Sequence, residues 1–409
     1  MPVLRPGGLP GQLLCVSRQF SKSRRMSPAQ ERRVLAALLF GNFVTGTGIL
    51  LPAGMLGDLA HGFDVSLPRA GLLLLVSGVV VALGAPLAAA FTSAVDRRWL
   101  LAASMLLYAV CHMASALAPN FAVLLAVRIV LAIPAAIFTP QAAATVGALL
   151  PAKRRGSAIT VIFIGWSLAT VGGMPLGGYV AHTLGWQVAF LIVAALSIVA
   201  LLGVWLTVPR SFKIAPLNVA SWRRVLTSQA LMTVLLVTVL NGTGQFTFFT
   251  YLAPSLKASL SDNAELLTIV LAWYGTVATL GNVLVTRAVQ RIGAPRSALF
   301  AFLVMSAGLI VWGAAATSLW AVLAGATLWG LGTFAANSVQ QARLACIAPE
   351  LTSASIALNT SAIYFGQAAG AGIGGTLIYV GLMLELPFVA AAILLVAVAA
   401  SLVAQQWER

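Results

Sequence analysis

Long apolar stretches follow one another along the chain, separated by short segments rich in charge, Pro or Gly. A helix needs about 20 apolar residues to cross the roughly 30 Å hydrocarbon core of a bilayer. The alternating pattern of membrane-spanning strands is absent. The pattern therefore predicts twelve transmembrane helices, called spans 1 to 12, at approximately 34–56, 70–91, 99–118, 121–147, 157–181, 187–208, 226–252, 265–286, 297–317, 319–342, 354–380 and 385–405.

The longest interior polar segment, 209–225, divides these spans six and six. Duplicated halves of this kind are common in transporters. We therefore expect an all-α membrane protein built from two pseudo-symmetric six-helix bundles, 34–208 and 226–405, with 209–225 as a cytoplasmic linker. A basic N-terminal tail (1–33), expected to be disordered, and a short C-terminus (406–409) complete the predicted organisation.

Composition excludes a water-soluble protein, because 60% of the residues are hydrophobic and only 8% are charged, against about 25% charged in soluble domains. The net charge of +15 would suggest nucleic acid in a soluble protein. With both termini cytoplasmic, however, 21 of the 24 Lys and Arg residues fall on the cytoplasmic side, and only Arg69 and Lys257 fall outside. This bias follows the positive-inside rule and argues against a nucleic-acid partner.

The first 26 residues hold five basic residues and no acid, which resembles a transit peptide in composition. A disordered cytoplasmic tail, or a translation start at Met26, fits them better, and the segment is left out of the fold. The three cysteines are far apart and indicate neither a disulfide nor a metal site.

Arg128 is the one basic residue inside a predicted span. A charge at mid-helix costs about 2.5–3.5 kcal/mol on insertion scales, so the side chain should face the bundle interior or a water-filled cavity. Because Arg128 lies only about eight residues into span 4, snorkelling to the membrane surface is the alternative.

Span 5 carries a glycine pattern around a proline, and span 11 repeats the theme in GQAAGAGIGG. Small residues allow helices to approach closely, so both spans should pack tightly on a neighbour, with a bend or gate at Pro175. The residues concerned in span 5 are Gly165, Gly172, Gly173, Pro175, Gly177 and Gly178.

Polar side chains within spans are candidate substrate contacts, since each needs a partner away from water. A single one is more often a helix–helix hydrogen bond, but their clustering in spans 7, 10 and 11 predicts a polar, uncharged cavity. The candidates are Asn42, Gln141, Asn241, Gln245, Tyr251, Asn337, Gln340, Gln341, Asn359, Tyr364 and Gln367.

Acids are scarce, and none lies at mid-span. A proton-coupled transporter usually needs a titratable group in its pathway. The predicted coupling network consists of Arg128, Asp96, Asp58 and Glu265, and His112 and His182 are weaker candidates. The coupling ion is therefore open at this point.

Motifs of soluble enzymes are absent: the sequence has no P-loop, no HExxH, no GxSxG, and no Gly-rich loop following a strand. We expect no catalytic residues, no cofactor and no bound metal.

Several short motifs of this chain resemble those of the major facilitator superfamily, and the resemblance covers about residues 34–405. AVDRR at 94–98 resembles its loop motif between spans 2 and 3, RIVLAIPAA at 128–136 its span 4 motif, and 165–178 its span 5 antiporter motif. In the second half, QQAR at 340–343 is similar to bacterial exporters of arabinose, purine and chloramphenicol type, as are four further segments: Trp329-Gly330, Ala348-Pro349-Glu350, Leu358-Asn359 and Gly366-Gln367.

The resemblance implies a twelve-span drug/proton antiporter, although one position of this chain departs from the family pattern. It further implies a monomer in the bacterial inner membrane, alternating access, and a role for Arg128 in proton coupling. Many relatives carry an acid in span 1, whereas this chain has Thr45-Gly46-Thr47-Gly48 there. The alternatives are a proton-independent facilitator or uptake symporter, and a sensor or scaffold that does not transport.

Overall fold

The structure is a computed structural model, and it describes residues 27–92, 95–210, 219–260, 263–348 and 351–407. These residues are almost entirely helical and contain no strand. Eleven of the described helices are long and apolar enough to cross a membrane.

The first half contributes six spans and one short helix. Span 5 is continuous but irregular: Ala152–Leu168, a π-helical turn Ala169–Gly173, and Met174–Leu184. The other elements are span 1 (Pro28–Gly54), a short helix (Leu56–Gly62), span 2 (Leu67–Phe91), span 3 (Arg97–Ala116), span 4 (Phe121–Leu149) and span 6 (Trp186–Thr207).

The second half repeats this order. Its elements are a short helix Val219–Thr227, span 7 (Gln229–Phe249), a short helix Leu252–Ser259, span 8 (Ala264–Ile292), span 9 (Ala294–Ala314), span 10 (Leu319–Ile347), span 11 (Thr352–Tyr379) and span 12 (Leu386–Trp407). Span 11 is not among the eleven apolar helices, although its 28 residues are enough to cross a bilayer. Its many Gly, Ser and Thr residues lower its hydropathy. The predicted all-α architecture of twelve spans is confirmed.

Several helices extend beyond the predicted hydrophobic stretches, because helical hydrogen bonding continues where apolarity stops. Span 1 begins at Pro28, and the Ser27 hydroxyl accepts a bond of 3.2 Å from the Gln30 N–H. Residues 28–33, assigned above to the tail, are therefore helical. Arg343, assigned above to a loop, lies within span 10. Residues 1–26 and 211–218 lie outside the described residues.

The irregularity of span 5 precedes Pro175 instead of lying at it. Proline lacks an N–H, and its ring crowds the carbonyl four residues earlier, which here belongs to Val171. Val171 lies in the π-helical turn Ala169–Gly173, which is where the helix departs from regular geometry.

Two hydrophobic clusters form the core, one mainly from spans 1–6 and one mainly from spans 7–12. The second is rich in stacked aromatic rings, such as Tyr274 and Trp329, whose centroids lie 4.5 Å apart. Between the halves, span 2 packs on span 11 and span 5 packs on span 8. The membrane side at which span 1 begins is called the N-terminal face below, and the opposite side the far face.

Candidate functional site

The glycines of span 5 lie against span 1. A Cβ atom at Gly165 would collide with the backbone carbonyl of Leu39, so only glycine permits this approach. The other predicted residues divide as follows: Gly173 contacts Thr47, Gly178 contacts Gly54, Gly177 contacts the Leu51 side chain, Pro175 is buried, and Gly172 has nothing within 4 Å of its Cβ position.

Spans 11 and 7 repeat this packing in the second half. A Cβ atom at Gly366 would lie 2.5 Å from the Val239 carbonyl, and one at Gly370 would lie 2.5 Å from the Thr243 carbonyl. Both halves therefore hold the corresponding pair of spans in backbone contact through glycine.

A network of uncharged polar groups joins spans 1, 4 and 5 near the middle of these helices. Asn42 donates to the Ile162 carbonyl (3.0 Å), and Thr139 donates to the Asn42 side-chain oxygen (2.9 Å). The Trp166 indole donates in turn to the Thr139 hydroxyl (3.2 Å). Thr139 and Trp166 are only half-buried, so part of this first-half network remains accessible.

The second half holds a network of amides in the equivalent place. Asn241 donates to the Asn337 side-chain oxygen (3.1 Å), and Gln245 donates to the Asn241 side-chain oxygen (3.0 Å). Asn337 is half-buried and lies eighteen residues after the first residue of span 10, as Thr139 does in span 4. In both halves, therefore, the network joins the first span of the half to its fourth span.

Asn359 of span 11 lies nearby in the same half. Its side-chain oxygen accepts a bond of 2.8 Å from Thr238, while its amide nitrogen has no hydrogen-bond partner although it is buried. An unpartnered buried donor is costly and is a feature expected of a ligand site.

Arg128 is fully buried, which agrees with an interior position and not with snorkelling. Its two terminal nitrogens donate to the backbone carbonyls of Gly48 (3.0 Å) and Ile49 (3.2 Å) in span 1. The guanidinium therefore ties span 4 to span 1 without a carboxylate.

His112 and Tyr108 of span 3 border the same part of span 1. A Cβ atom at Gly48 would collide with His112 Nε2 and would lie 2.5 Å from the Tyr108 hydroxyl, which itself donates to the Thr45 carbonyl (2.8 Å). We call Arg128, His112, Tyr108 and Gly48 the Arg128 cluster. The sequence could not reveal it, because its members come from three separate spans.

The three acids of the predicted coupling network do not contact Arg128. Asp96 caps span 3 by accepting from the Arg98 and Trp99 N–H groups (2.9 and 3.3 Å). Asp58, in the short helix after span 1, contacts His182 at 3.2 Å. Glu265 is exposed in the first turn of span 8. The structure does not bring these acids to Arg128.

Two predicted substrate contacts instead bind arginines near the N-terminal face. Gln141 accepts a 2.6 Å bond from Arg97, and Gln340 accepts a 3.1 Å bond from Arg343. Both arginines were assigned to loops from the sequence but are 2% and 1% exposed. The hydropathy pattern could not show that these two arginines are buried, because each is paired with an amide oxygen of another residue. Gln341 is half-buried.

The remaining candidates lie where the halves meet. Tyr251 donates to the Ala371 carbonyl (2.9 Å), and Gly71 of span 2 leaves room for its hydroxyl. Gln367 donates to the Leu74 carbonyl of span 2 at 3.5 Å, and Tyr364 packs on the first-half core. These three residues hold spans 2, 7 and 11 together.

The two halves are joined mainly at the far face. The short helix Leu252–Ser259 contacts span 1 and the short helix Leu56–Gly62. Span 8 packs mostly on the π-helical turn and on Met174–Leu184, which form the far-face part of span 5. At the other end, Leu83, Leu87 and Phe91 of span 2 are exposed.

In the described part of the chain, no group of His, Cys, Asp or Glu residues is arranged to hold a metal ion. The site consists of two neutral polar networks, one in each helical bundle, and the first bundle also holds the buried Arg128.

Comparison with known proteins agrees with this architecture. The inner membrane transport protein YdhP of Escherichia coli K12 is 30% identical over 348 residues, which cover 85% of this chain and 89% of YdhP. The uncharacterized MFS-type transporter YbcL of Bacillus subtilis is 27% identical over 361 residues, covering 88% of this chain and 93% of YbcL.

Solved structures share the fold at lower identity. A bacterial homologue of the human lysosomal transporter Spinster, in an inward-facing and unoccupied conformation, matches with a TM-score of 0.74 at 17% identity, covering 93% of this chain and 98% of that one. The human organic anion transporter MFSD10 matches with a TM-score of 0.69 at 17% identity, covering 92% and 100%. The family model described as Major Facilitator Superfamily matches residues 38–261, more than half of the chain. The chain is therefore a membrane transport protein that belongs to the Major Facilitator Superfamily.

Proposed function

We propose that this protein exports small uncharged or weakly polar molecules by alternating access, driven by proton antiport. The observation that carries the proposal is the pair of neutral networks, Asn42–Thr139–Trp166 and Asn241–Asn337–Gln245, at equivalent positions in the two halves. Amide and hydroxyl groups recognise polar but uncharged ligands, and burial of a charged ligand among them would be costly. Thr139, Trp166 and Asn337 are half-buried, and the exposed parts of their side chains are available to such a ligand.

The bias of basic residues supports a cytoplasmic N-terminal face. The halves meet at the far face, so this conformation would receive substrate from the cytoplasm. Rocking of the two halves against each other, along the contacts of span 2 with span 11 and of span 5 with span 8, would then open the far face. We place the protein in a bacterial inner membrane, as the name of the relative YdhP suggests for that protein.

The test uses purified protein in liposomes and a panel of labelled arabinose, inosine and chloramphenicol. We expect uptake of at least one compound into vesicles with an acidic lumen, and a loss of this uptake when the pH gradient is collapsed. Substitution Arg128→Ala should abolish the gradient-driven component. No gradient-dependent uptake of any of the three would contradict the proposal.

A proton-independent facilitator or an uptake symporter is the second candidate. It is favoured by one feature, the absence of an acid from Thr45-Gly46-Thr47-Gly48 in span 1. Counterflow of the same three compounds at equal pH on both sides, undiminished in Arg128→Ala, would support it.

A further inference from the structure

We propose that His112 is the residue that takes up and releases the coupled proton. This inference rests on the proposed proton antiport and names the group that performs it. The imidazole would accept a proton from water when the far face opens and return it to water on the N-terminal face. No covalent step with the substrate is involved.

His112 is fully buried, and neither of its ring nitrogens has a hydrogen-bond partner in the described structure. A buried polar group normally has at least one partner, so the exception calls for an explanation. The ring is held between aromatic neighbours, with its centroid 4.7 Å from that of Tyr108 and 5.8 Å from that of Phe190. The packing therefore fixes the ring in place, and the one nitrogen that carries no proton in the neutral imidazole has no partner that competes for it.

The elements around His112 supply few other titratable groups. Span 3 contributes Tyr108 and Cys111, span 4 contributes Arg128, and span 6 contributes the apolar ring of Phe190. Span 1 contributes Gly48, which has no side chain. Among these groups, only an imidazole ordinarily changes charge between pH 5 and 8.

Gly48 couples the imidazole to the guanidinium. Its carbonyl accepts from Arg128, and a Cβ atom at its α-carbon would collide with His112 Nε2. A proton on His112 would add a positive charge beside the cation that ties span 4 to span 1. Protonation and this attachment therefore oppose each other, and span 1 also carries Asn42 of the first-half network.

Linkage gives the sign of the effect. A conformation that exposes the cluster to water accommodates a second positive charge better than the buried one described here. The exposed conformation therefore binds the proton more tightly than the buried one. By linkage, proton binding shifts the equilibrium toward the exposed conformation by the same factor. We expect acidification to move the far-face ends of the two halves apart.

Electron spin resonance distances can measure this movement in the full-length protein in lipid nanodiscs. Nitroxide labels would be placed at Gly57→Cys, where a Cβ meets nothing within 4 Å, and at exposed Ala258→Cys. Cys15 and Cys346 would be replaced by Ser, while Cys111 is buried. Between pH 8 and pH 5 we expect the population with separated far-face ends to rise at least about fivefold, a change of about 1 kcal/mol.

The chain has three histidines, so the other two supply matched controls. His112→Gln should remove the pH response, whereas His61→Gln and His182→Gln should keep it. Retention of the response in His112→Gln would overturn the proposal. If that protein still showed gradient-driven uptake, proton antiport would stand with another carrier. A pH-insensitive wild type without gradient-driven uptake would overturn the antiport itself.

A direct measurement covers the case in which His112→Gln fails to fold. Ring-nitrogen NMR signals of wild-type protein with ¹⁵N-labelled histidine would be followed from pH 5 to 8, and His61→Gln and His182→Gln would assign the two other signals. The third signal should titrate in parallel with the spin-label distances. A third signal that stays unchanged over this range would show that His112 binds no proton.

Discussion

The two halves of the molecule share their packing but differ in their chemistry. In each, a glycine places one span in contact with the backbone of another: Gly165 with Leu39, and Gly366 with Val239. In each, a polar residue eighteen residues after the first residue of the fourth span, Thr139 or Asn337, bonds to an asparagine. Only the first half, however, places a cation and an imidazole together in its interior.

This difference separates two tasks that alternating access requires. The equivalent networks can hold a neutral substrate between the halves, so the substrate site can use both. The Arg128 cluster belongs to the first half alone, whereas Tyr251, Tyr364 and Gln367 make contacts across the seam between the halves. In the proposed mechanism, the coupled proton would therefore act on span 1 from within the first half, without occupying the place of the substrate.

The largest effects should come from the shared packing. Gly165→Val and Gly366→Val would each force a side chain into backbone atoms of the partner span. We expect each to lower the free energy of unfolding by about 3 kcal/mol or more. Thermal unfolding in detergent would measure this, with Gly172→Ala as the control because its Cβ position is open. A loss of stability in only one of the two variants would show that the two halves do not depend equally on this packing.

The buried arginines should respond in opposite ways. Arg128→Met removes a cation that has no carboxylate partner, so we expect transport to fall at least about tenfold while thermal stability is kept or raised. Arg343→Met removes the donor to Gln340 and Ser401, so we expect a stability loss of about 1–3 kcal/mol. Equal loss of stability in both variants would make Arg128 a structural residue.

A smaller effect should follow from the second-half network. Asn241→Leu leaves Asn337 and Gln245 without their shared partner. We expect the KM of a transported panel compound to rise about tenfold with little change in maximal rate, as for a lost substrate contact of about 1.4 kcal/mol. Gln229→Leu, exposed on the same helix, is the control. An unchanged KM would move the substrate site away from this network.

The smallest effect should come from the seam. Tyr251→Phe removes the hydrogen bond to the Ala371 carbonyl of the same half, worth about 1 kcal/mol, which holds the Tyr251 ring in place against Gly71 of span 2. The far-face ends should then separate about fivefold more often, as measured with labels at Gly57→Cys and Ala258→Cys. Tyr179→Phe, on the exposed surface of span 5, should have no effect. If both variants separated equally often, Tyr251 would have no specific role in closing the far face.

Hydropathy was sufficient to predict the spans, because a segment that crosses hydrocarbon must be mainly apolar, and even the less apolar span 11 is uncharged between residues 354 and 380. Helix ends were less predictable. Span 1 starts at Pro28 because a Ser27 cap and a proline favour initiation there, independently of the bilayer. Arg97 and Arg343 were misassigned to loops since a buried arginine and an exposed one look alike in a sequence.

The candidate site was predictable only in its residue types. Asn42, Asn241 and Asn337 could be selected because polar groups within apolar spans need partners. Their pairing depends on which spans lie side by side, and the local hydrophobic pattern of a sequence does not determine this. His112 received little weight from the sequence, since its contacts with Gly48 and Arg128 bring together residues far apart in the chain.

The sequence by itself determined that the chain crosses a membrane about twelve times in two comparable halves, because apolar length and the placement of basic residues are local properties. Only the tertiary structure decided which polar groups meet, that Arg128 is held by carbonyls and not by a carboxylate, and that a histidine lies beside it. Such contacts arise from packing between distant spans, where a few glycines set how closely the helices approach.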